Sequence, residues 1–132
     1  MGDKKKRIFI SGPMTGVPNY MVNFAEASLE LKDAGYTDII NPAVVNDSLA
    51  SFLSYSELVE MCYKELDFCD QIYMLHGWEN SKGANIELAY AKSKNMEVLF
   101  QDKEKFHTDY WTKLQNVSDD AADVIDPKWI EY

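Results

Sequence analysis

Apolar and polar positions along the chain fall into two alternating periods. Arg7 to Ser11 (RIFIS) is a short apolar run rich in β-formers, stopped by the glycines and proline of GPMTG. From 23 to 34, Phe24, Ala27, Ser28, Leu31 and Ala34 recur at helical spacing, and Gly35 supplies a C-terminal stop. TDIINP, 37 to 42, predicts a short second strand closed by Pro42, which forces Asn41 extended and cannot donate to a ladder. A polar loop follows. Ser54, with Glu57 three residues on, has the capping-box pattern for a helix to about Cys69, with Tyr55, Leu58, Val59, Cys62, Leu66 and Cys69 on its buried side. QIYML, 71 to 75, predicts a third strand of the continuously apolar kind that parallel sheets bury. A helix from about Ser81 to Lys94 and a strand at 97 to 101 complete the regular pattern. Beyond it, HTDYWTKLQNV has helical character, and ADVIDP reads as a short extended piece.

Strands alternating with helices predict an α/β three-layer sandwich, because parallel neighbours need a crossover helix to bring the chain back. A flavodoxin-like (Rossmann-like) winding with four or five mainly parallel strands fits 132 residues as one domain, and a 46% hydrophobic composition fills one core. In such folds ligands gather beyond the carboxyl ends of the strands. The loops that leave those ends are 11 to 16, Asn41 with Pro42, 76 to 83, and the region after Gln101. All the unusual loop chemistry therefore falls on one edge.

Charge and cysteine usage narrow the function classes. A formal net charge of -9 repels an extended phosphate polymer, and KKKR at 4 to 7 reads as a solubilising entry to the first strand, so no nucleic-acid partner is expected. No apolar run approaches the roughly 20 residues of a membrane helix, and no cleavage-like leader precedes the first strand, so a cytoplasmic protein without a membrane partner is expected. Cys62 and Cys69 read as small buried hydrophobes in a reducing compartment. With the distant His76 and His107 they show no metal-ligand spacing, and no metal or cofactor is expected.

The sharpest candidate is Glu87, about one turn inside the helix that Ser81 would cap, with Lys82, Gly83 and Ala84 forming its first turn. Free amides and the positive end of the helix dipole suit a phosphate or carboxylate there, and small residues permit close approach. The dipole is also expected to keep Glu87 ionised, as a carboxylate nucleophile must be. The plain alternative is a solvated side chain facing Lys92 or Lys94. Pro13 and Gly16 serve turn geometry or binding equally well. Trp78 reads as a base-stacking ring or as an apolar lid on the sheet edge, and Asn41 as a ligand donor or a turn cap.

IFISGPMTG near the start, and CDQIYMLHGWENSKGANIELAYAKSKNMEVLF in the middle, resemble the nucleoside 2-deoxyribosyltransferase-like superfamily over roughly residues 7 to 101. The pairing of SGPMTG with GWENSKGA..E is most similar to its small branch common in phages and bacteria. The resemblance implies a glutamate that attacks C1′ of a deoxynucleoside or deoxynucleotide, matched here by the Gly83 to Glu87 spacing. The covalent glycosyl intermediate that forms then passes to water or to another base. It further implies that Ser11, Gly12, Pro13 and Met14 line the base and sugar pocket, that Ser81, Gly83, Ala84 and Asn85 lie near a 5′-phosphate or the sugar, and that the chain assembles as a homodimer or larger oligomer.

One departure stands out. The enzymes carry an aspartate eight residues before the one that opens strand three, and counting back from Asp70 gives Cys62. Asp67 lies further along the helix and faces elsewhere, and Asp70 opens its strand at the wrong end of the sheet. Glu79 is the nearest substitute acid, its alternative being a solvated loop residue. Two functions follow: a nucleoside- or nucleotide-processing enzyme acting at an N-glycosidic bond, or a non-catalytic binder that sequesters a nucleotide or a nucleotide-derived signal. A flavodoxin proper is disfavoured, since Pro13 removes an amide that a flavin-phosphate loop needs and VPNY delays the following helix.

Overall fold

The computed structural model describes residues 6–101. Within them four parallel strands form one sheet in the order β2-β1-β3-β4: β1 (Arg7–Ser11), β2 (Asp38–Ile40), β3 (Gln71–Met74) and β4 (Glu97–Phe100). This is the flavodoxin-like, three-layer α/β winding. Helix α1 (Tyr20–Asp33) carries the chain from β1 to β2. The short α2 (Pro42–Val45) and α3 (Tyr55–Asp67) bring it back past β1 to β3, and α4 (Lys82–Ser93) leads on to β4.

The two-residue period of β1 divides the core. Ile8 and Ile10 turn to one face with Tyr73 and Leu75, under Phe24, Ala27 and Leu31 of α1. Phe9, Ile72 and Met74 turn to the other, under Leu66 of α3 and Ala84, Leu88 and Ala91 of α4. By the same alternation Ser11, fully buried, lies on the α3/α4 face.

Local chemistry sets the boundaries. Ser54 and Glu57 form the capping box in full, with Ser54 N donating to Glu57 Oε1 at 2.8 Å and Glu57 N to Ser54 Oγ at 3.2 Å. Helix α1 ends in a Schellman motif on Gly35 (φ 102°), where Tyr36 N donates to Leu31 O and Gly35 N to Lys32 O. Helix α4 ends the same way on Asn95 (φ 60°), with Met96 N donating to Ala91 O. Two expectations need correcting. Helix α1 begins at Tyr20, earlier than the apolar period suggests, because Tyr20 already packs on the core and a turn closed by Val17 N to Met14 O delivers the chain there. Pro42 follows β2 with Asn41 extended, as expected, but it also opens α2 inside the expected polar loop. Asn41 caps that helix by accepting from Ala43 N, and proline suits the first helical position. The expected tail elements, helical at HTDYWTKLQNV and extended at ADVIDP, lie outside the described residues.

Helix α3 also buries what its pattern marks as polar. Glu65 keeps 7% of its surface, and on α1 Glu26 keeps 3%. Burial raises the Glu26 carboxyl to about 8. Below about pH 4.5 the group is neutral whether the chain is folded or not. Between there and about 8 only the unfolded chain ionises it, so folding loses stability as pH rises and bears the full cost above that range.

Two predictions follow from packing and burial. A Cβ at Gly12 would stand 2.7 Å from Leu75 Cβ, so Gly12→Ala is expected to cost about 1–3 kcal/mol in chemical denaturation. Glu26→Gln is expected to raise the melting temperature over wild type progressively as pH goes from about 4 to about 9, with no gain at the acid end; a pH-independent difference would contradict the buried carboxyl.

Candidate functional site

The strand order reverses direction between β1 and β3: the chain leaves β1 toward β2, then returns to place β3 on the other side of β1. That seam ends at the Ser11↔Met74 pair, and Leu75 N extends the ladder by donating to Ser11 O at 2.8 Å. In doubly wound sheets the loops leaving such a pair of strands run to opposite faces, and ligands bind in the crevice between them.

Helix α4 brings Glu87 to it. Ser81 caps the helix by accepting from Ala84 N at 3.1 Å. Ala84 and Leu88 lie on the sheet, and Glu87 shares their stripe, three residues past Ala84 and four before Ala91. The Ser11 hydroxyl donates to Glu87 Oε1 at 2.6 Å, short as charge-assisted bonds are. The Cys62 thiol of α3 neighbours the carboxyl and helps to lower its pKa. Glu87 thus faces Ser11 and Cys62, not the helical lysines: Lys94 Nζ lies over the Tyr90 ring, and Lys92 is exposed.

The charge state differs from the dipole-based expectation. Burial raises the Glu87 carboxyl from 4.5 to about 7, against the lowering effect of Ser11 and Cys62, and Glu65 raises it further. A rise of that size is on the order of 3 kcal/mol, against about 0.3–1 kcal/mol for a helix terminus, whose effect fades within the first turn. Desolvation therefore wins, and Glu87 is near half-ionised at neutral pH. The residue as a whole is half-buried, its carboxyl being the desolvated part.

Behind Glu87 lies a polar cluster that sequence reasoning missed. Asn46, at the C-terminus of α2, donates through Nδ2 to Glu65 Oε1 at 3.1 Å and lies 3.8 Å from Cys62 Sγ. Its Oδ1 is buried with no hydrogen-bond partner among the described residues. The available signal was spacing: Glu65 is three residues past Cys62 and adjacent to Leu66, hence on the inward face of α3. Burial pushes both free thiols up, Cys69 to about 12 and Cys62 further, so neither is a nucleophile. Among the described residues no group of three or more His, Cys, Asp or Glu is placed to hold a metal ion. No described helix is long and apolar enough to cross a membrane.

The remaining candidates divide by position. Gly12 is buried where Leu75 leaves no room for a side chain, and Pro13 and Met14 are half-buried beyond it. Gly16 takes φ 80° in open space, which fits the turn reading. Gly83 lies near the Tyr55 hydroxyl, whose ring carries Lys82 Nζ at 5.8 Å. Asn85 donates to the carbonyls of Trp78, Glu79 and Ser81 at 3.2, 3.1 and 2.8 Å, fastening the turn Trp78–Asn80 to α4. Trp78 packs beside Phe100 with ring centroids 5.8 Å apart, and Glu79 is exposed. Asp70 accepts from Arg7 N at 3.0 Å and Asp67 from the Tyr90 hydroxyl at 2.6 Å, both away from the crevice.

Residues 6–100 match a domain family described as a domain of unknown function (DUF4406). No curated protein matches the chain.

Ser11→Ala removes the hydrogen bond that favours ionised Glu87. Its carboxyl is expected to titrate at about 8 or higher instead of about 7, followed by carboxyl carbon NMR, with Glu87→Gln assigning the resonance.

Proposed function

The chain belongs to the DUF4406 family, and we propose that it handles a nucleoside or nucleotide, cleaving or transferring at the N-glycosidic bond with Glu87 as nucleophile. The family description carries no activity, so kinship with the nucleoside 2-deoxyribosyltransferase-like superfamily is part of this proposal. The observation that carries it is a desolvated carboxyl at the end of the β1/β3 seam, oriented by Ser11 at 2.6 Å and paired with no lysine or arginine among the described residues. A carboxylate tied up by a permanent cation would be a poor nucleophile. Glu87 has oriented donors instead.

In the reaction, a Glu87 oxygen forms a bond to C1′ while the C1′–N bond breaks, its electron pair leaving with the base, which takes a proton from solvent. The sugar is then an ester of Glu87. A water oxygen, or a nitrogen of a second base, attacks C1′, releases the carboxylate and gives up its own proton to solvent. Ser11, by donating to Oε1, fixes the carboxylate for both attack and departure. Pro13, Met14 and Trp78 would surround the base, and Lys82 and Gly83 at the start of α4 would face a 5′-phosphate or the sugar. Assembly as a homodimer or larger oligomer belongs to the same proposal, supported by exposed Val44, Val45 and Phe52 near the α2–α3 connection. So does a place in the cytosolic nucleotide pool.

A second reading rests on Cys62. The enzymes have an acid there, whereas this thiol is held protonated by burial and gives up no proton to a departing base. A missing general acid costs roughly 10²- to 10⁴-fold. On that ground the site would bind and sequester a nucleotide or nucleotide-derived signal.

Incubation with nucleosides, deoxynucleoside monophosphates and cyclic ADP-ribose-like compounds, with chromatography for free base, separates the two. Glu87→Gln is expected to lower base release on the order of 10³-fold or more while ligand binding persists. A wild type that binds tightly and releases no base would favour the sequestering role.

A further inference from the structure

The two faces of the sheet are covered unequally. Phe9, Ile72 and Met74 lie under two long helices, α3 and α4. Over Ile8, Ile10, Tyr73 and Leu75 the buried helical residues come from α1 and, at Ala43, from the four-residue α2. Four strands spaced as in any sheet span roughly 14 Å between their outer axes, and a helix is about 10 Å across. One long helix therefore leaves part of that face to another element, and Leu99 of β4 is only half-buried there.

The flank of α1 that borders this place is marked by Glu30, which accepts from the Tyr73 hydroxyl of β3 at 2.6 Å and from the Gln101 amide just past β4 at 3.3 Å. Val22, Glu26, Leu29 and Asp33 lie on the same flank, at steps of three and four residues. No helix among the described residues lies beside it over β3 and β4, yet Glu26 keeps only 3% of its surface, while Leu29, further outward, keeps 48%. Burial is the sole cause acting on the Glu26 carboxyl, and no described residue donates to it. An acidic and partly apolar flank of this kind fits an element that brings apolar side chains and positive charge together.

The chain itself leaves β4 at that spot. Gln101 N donates to Met74 O at 2.9 Å, its Oε1 accepts from His76 N at 2.9 Å and its Nε2 reaches Glu30, so residue 102 starts against the flank. In the sequence that follows, Phe106, Tyr110, Leu114 and Val117 recur at helical spacing, with Lys103 and Lys113 on the same side. As a helix, 106 to 117 would match the flank from 22 to 33 in length, ~18 Å. Charge selects this half of the segment: 103 to 117 holds three lysines against two acids, whereas 118 to 132 holds one lysine against five. We propose that residues 102 to 117 dock along this flank of α1, with Phe106, Tyr110 and Leu114 toward Leu99 and Val22 and with Lys103 and Lys113 toward Glu26, Glu30 and Asp33. The surface lies within the residues that the family model matches, and its occupant lies beyond them. The docking is independent of the N-glycosidic reading.

The test is NMR on the full chain. Wild type is expected to show nuclear Overhauser contacts from the Phe106 or Tyr110 ring to the methyl groups of Leu99 and Val22. Leu114→Asp places a charge in the apolar stripe and is expected to abolish them. With the flank opened to water, the Glu26 carboxyl is expected to titrate well below about 8, toward 4.5, its resonance assigned through Glu26→Gln. Leu114→Met is expected to keep both the contacts and the raised titration. Should Leu114→Asp fail to fold, the wild-type contacts decide alone. The proposal is overturned if those contacts are absent in wild type, if they fall instead on Val44, Val45 and Phe52, or if isotope filtering of a mixed labelled and unlabelled sample shows that they join two copies. A Glu26 titration that stays near 8 in folded Leu114→Asp overturns it as well.

Discussion

The site depends on one contact between elements distant in sequence, the hydrogen bond from the Ser11 hydroxyl at the end of β1 to the Glu87 carboxyl on α4. Burying a carboxyl in this layer carries a large desolvation cost, which oriented donors offset in part. Ser11 is such a donor because β1 alternates: the period that sends Phe9 into the α3/α4 layer sends the next odd residue there too, and a hydroxyl replaces an apolar group where α4 presents its acid. Small Ala84 and Ala91 let α4 settle close to the sheet, and the cap at Ser81 sets where the helix starts and so which residue meets Ser11.

Much of this was legible from the chain alone, for identifiable reasons. The four strands and three long helices show in the hydrophobic period because each buries one face, and the Ser54/Glu57 pair and Gly35 act within a few residues of themselves. The ligand edge follows from parallel winding. Position 87 stood out because small residues precede it by one helical turn. Illegible features were those made by tertiary contact. Glu26 and Glu65 look like ordinary helical acids, and only packing against other layers shows them buried. The ionisation of Glu87 was misjudged for the same reason, since helix dipoles are readable from sequence and desolvation is not. Pro42 is ambiguous by nature: the constraint on φ that ends a strand is the one that begins a helix.

Acids make up much of this chain's charge, and the fold sorts them. Glu57 completes a helix cap, while Glu97 pairs with Lys6 at the sheet's far end and accepts from Gln71. Glu30 accepts from the Tyr73 hydroxyl and the Gln101 amide, tying α1 to β3 and to the end of β4. Each of these has its donor within reach at the surface or the margin of the core. Glu65 and Glu87 are instead held by neutral donors, Asn46 for the one and Ser11 for the other, and burial raises both carboxyls above their ordinary range.

The Asn85 side chain fastens the Trp78–Asn80 turn to the helix that carries Glu87, so indole ring and carboxylate ride on one rigid frame. On the facing side, residues 13 to 19 hang from a buried, side-chain-free pivot at Gly12 and pass through a left-handed turn at Gly16. The two sides are therefore fastened differently: side-chain hydrogen bonds lock one to a long helix, whereas the other is held by the apolar contacts of Met14 and the buried Val17.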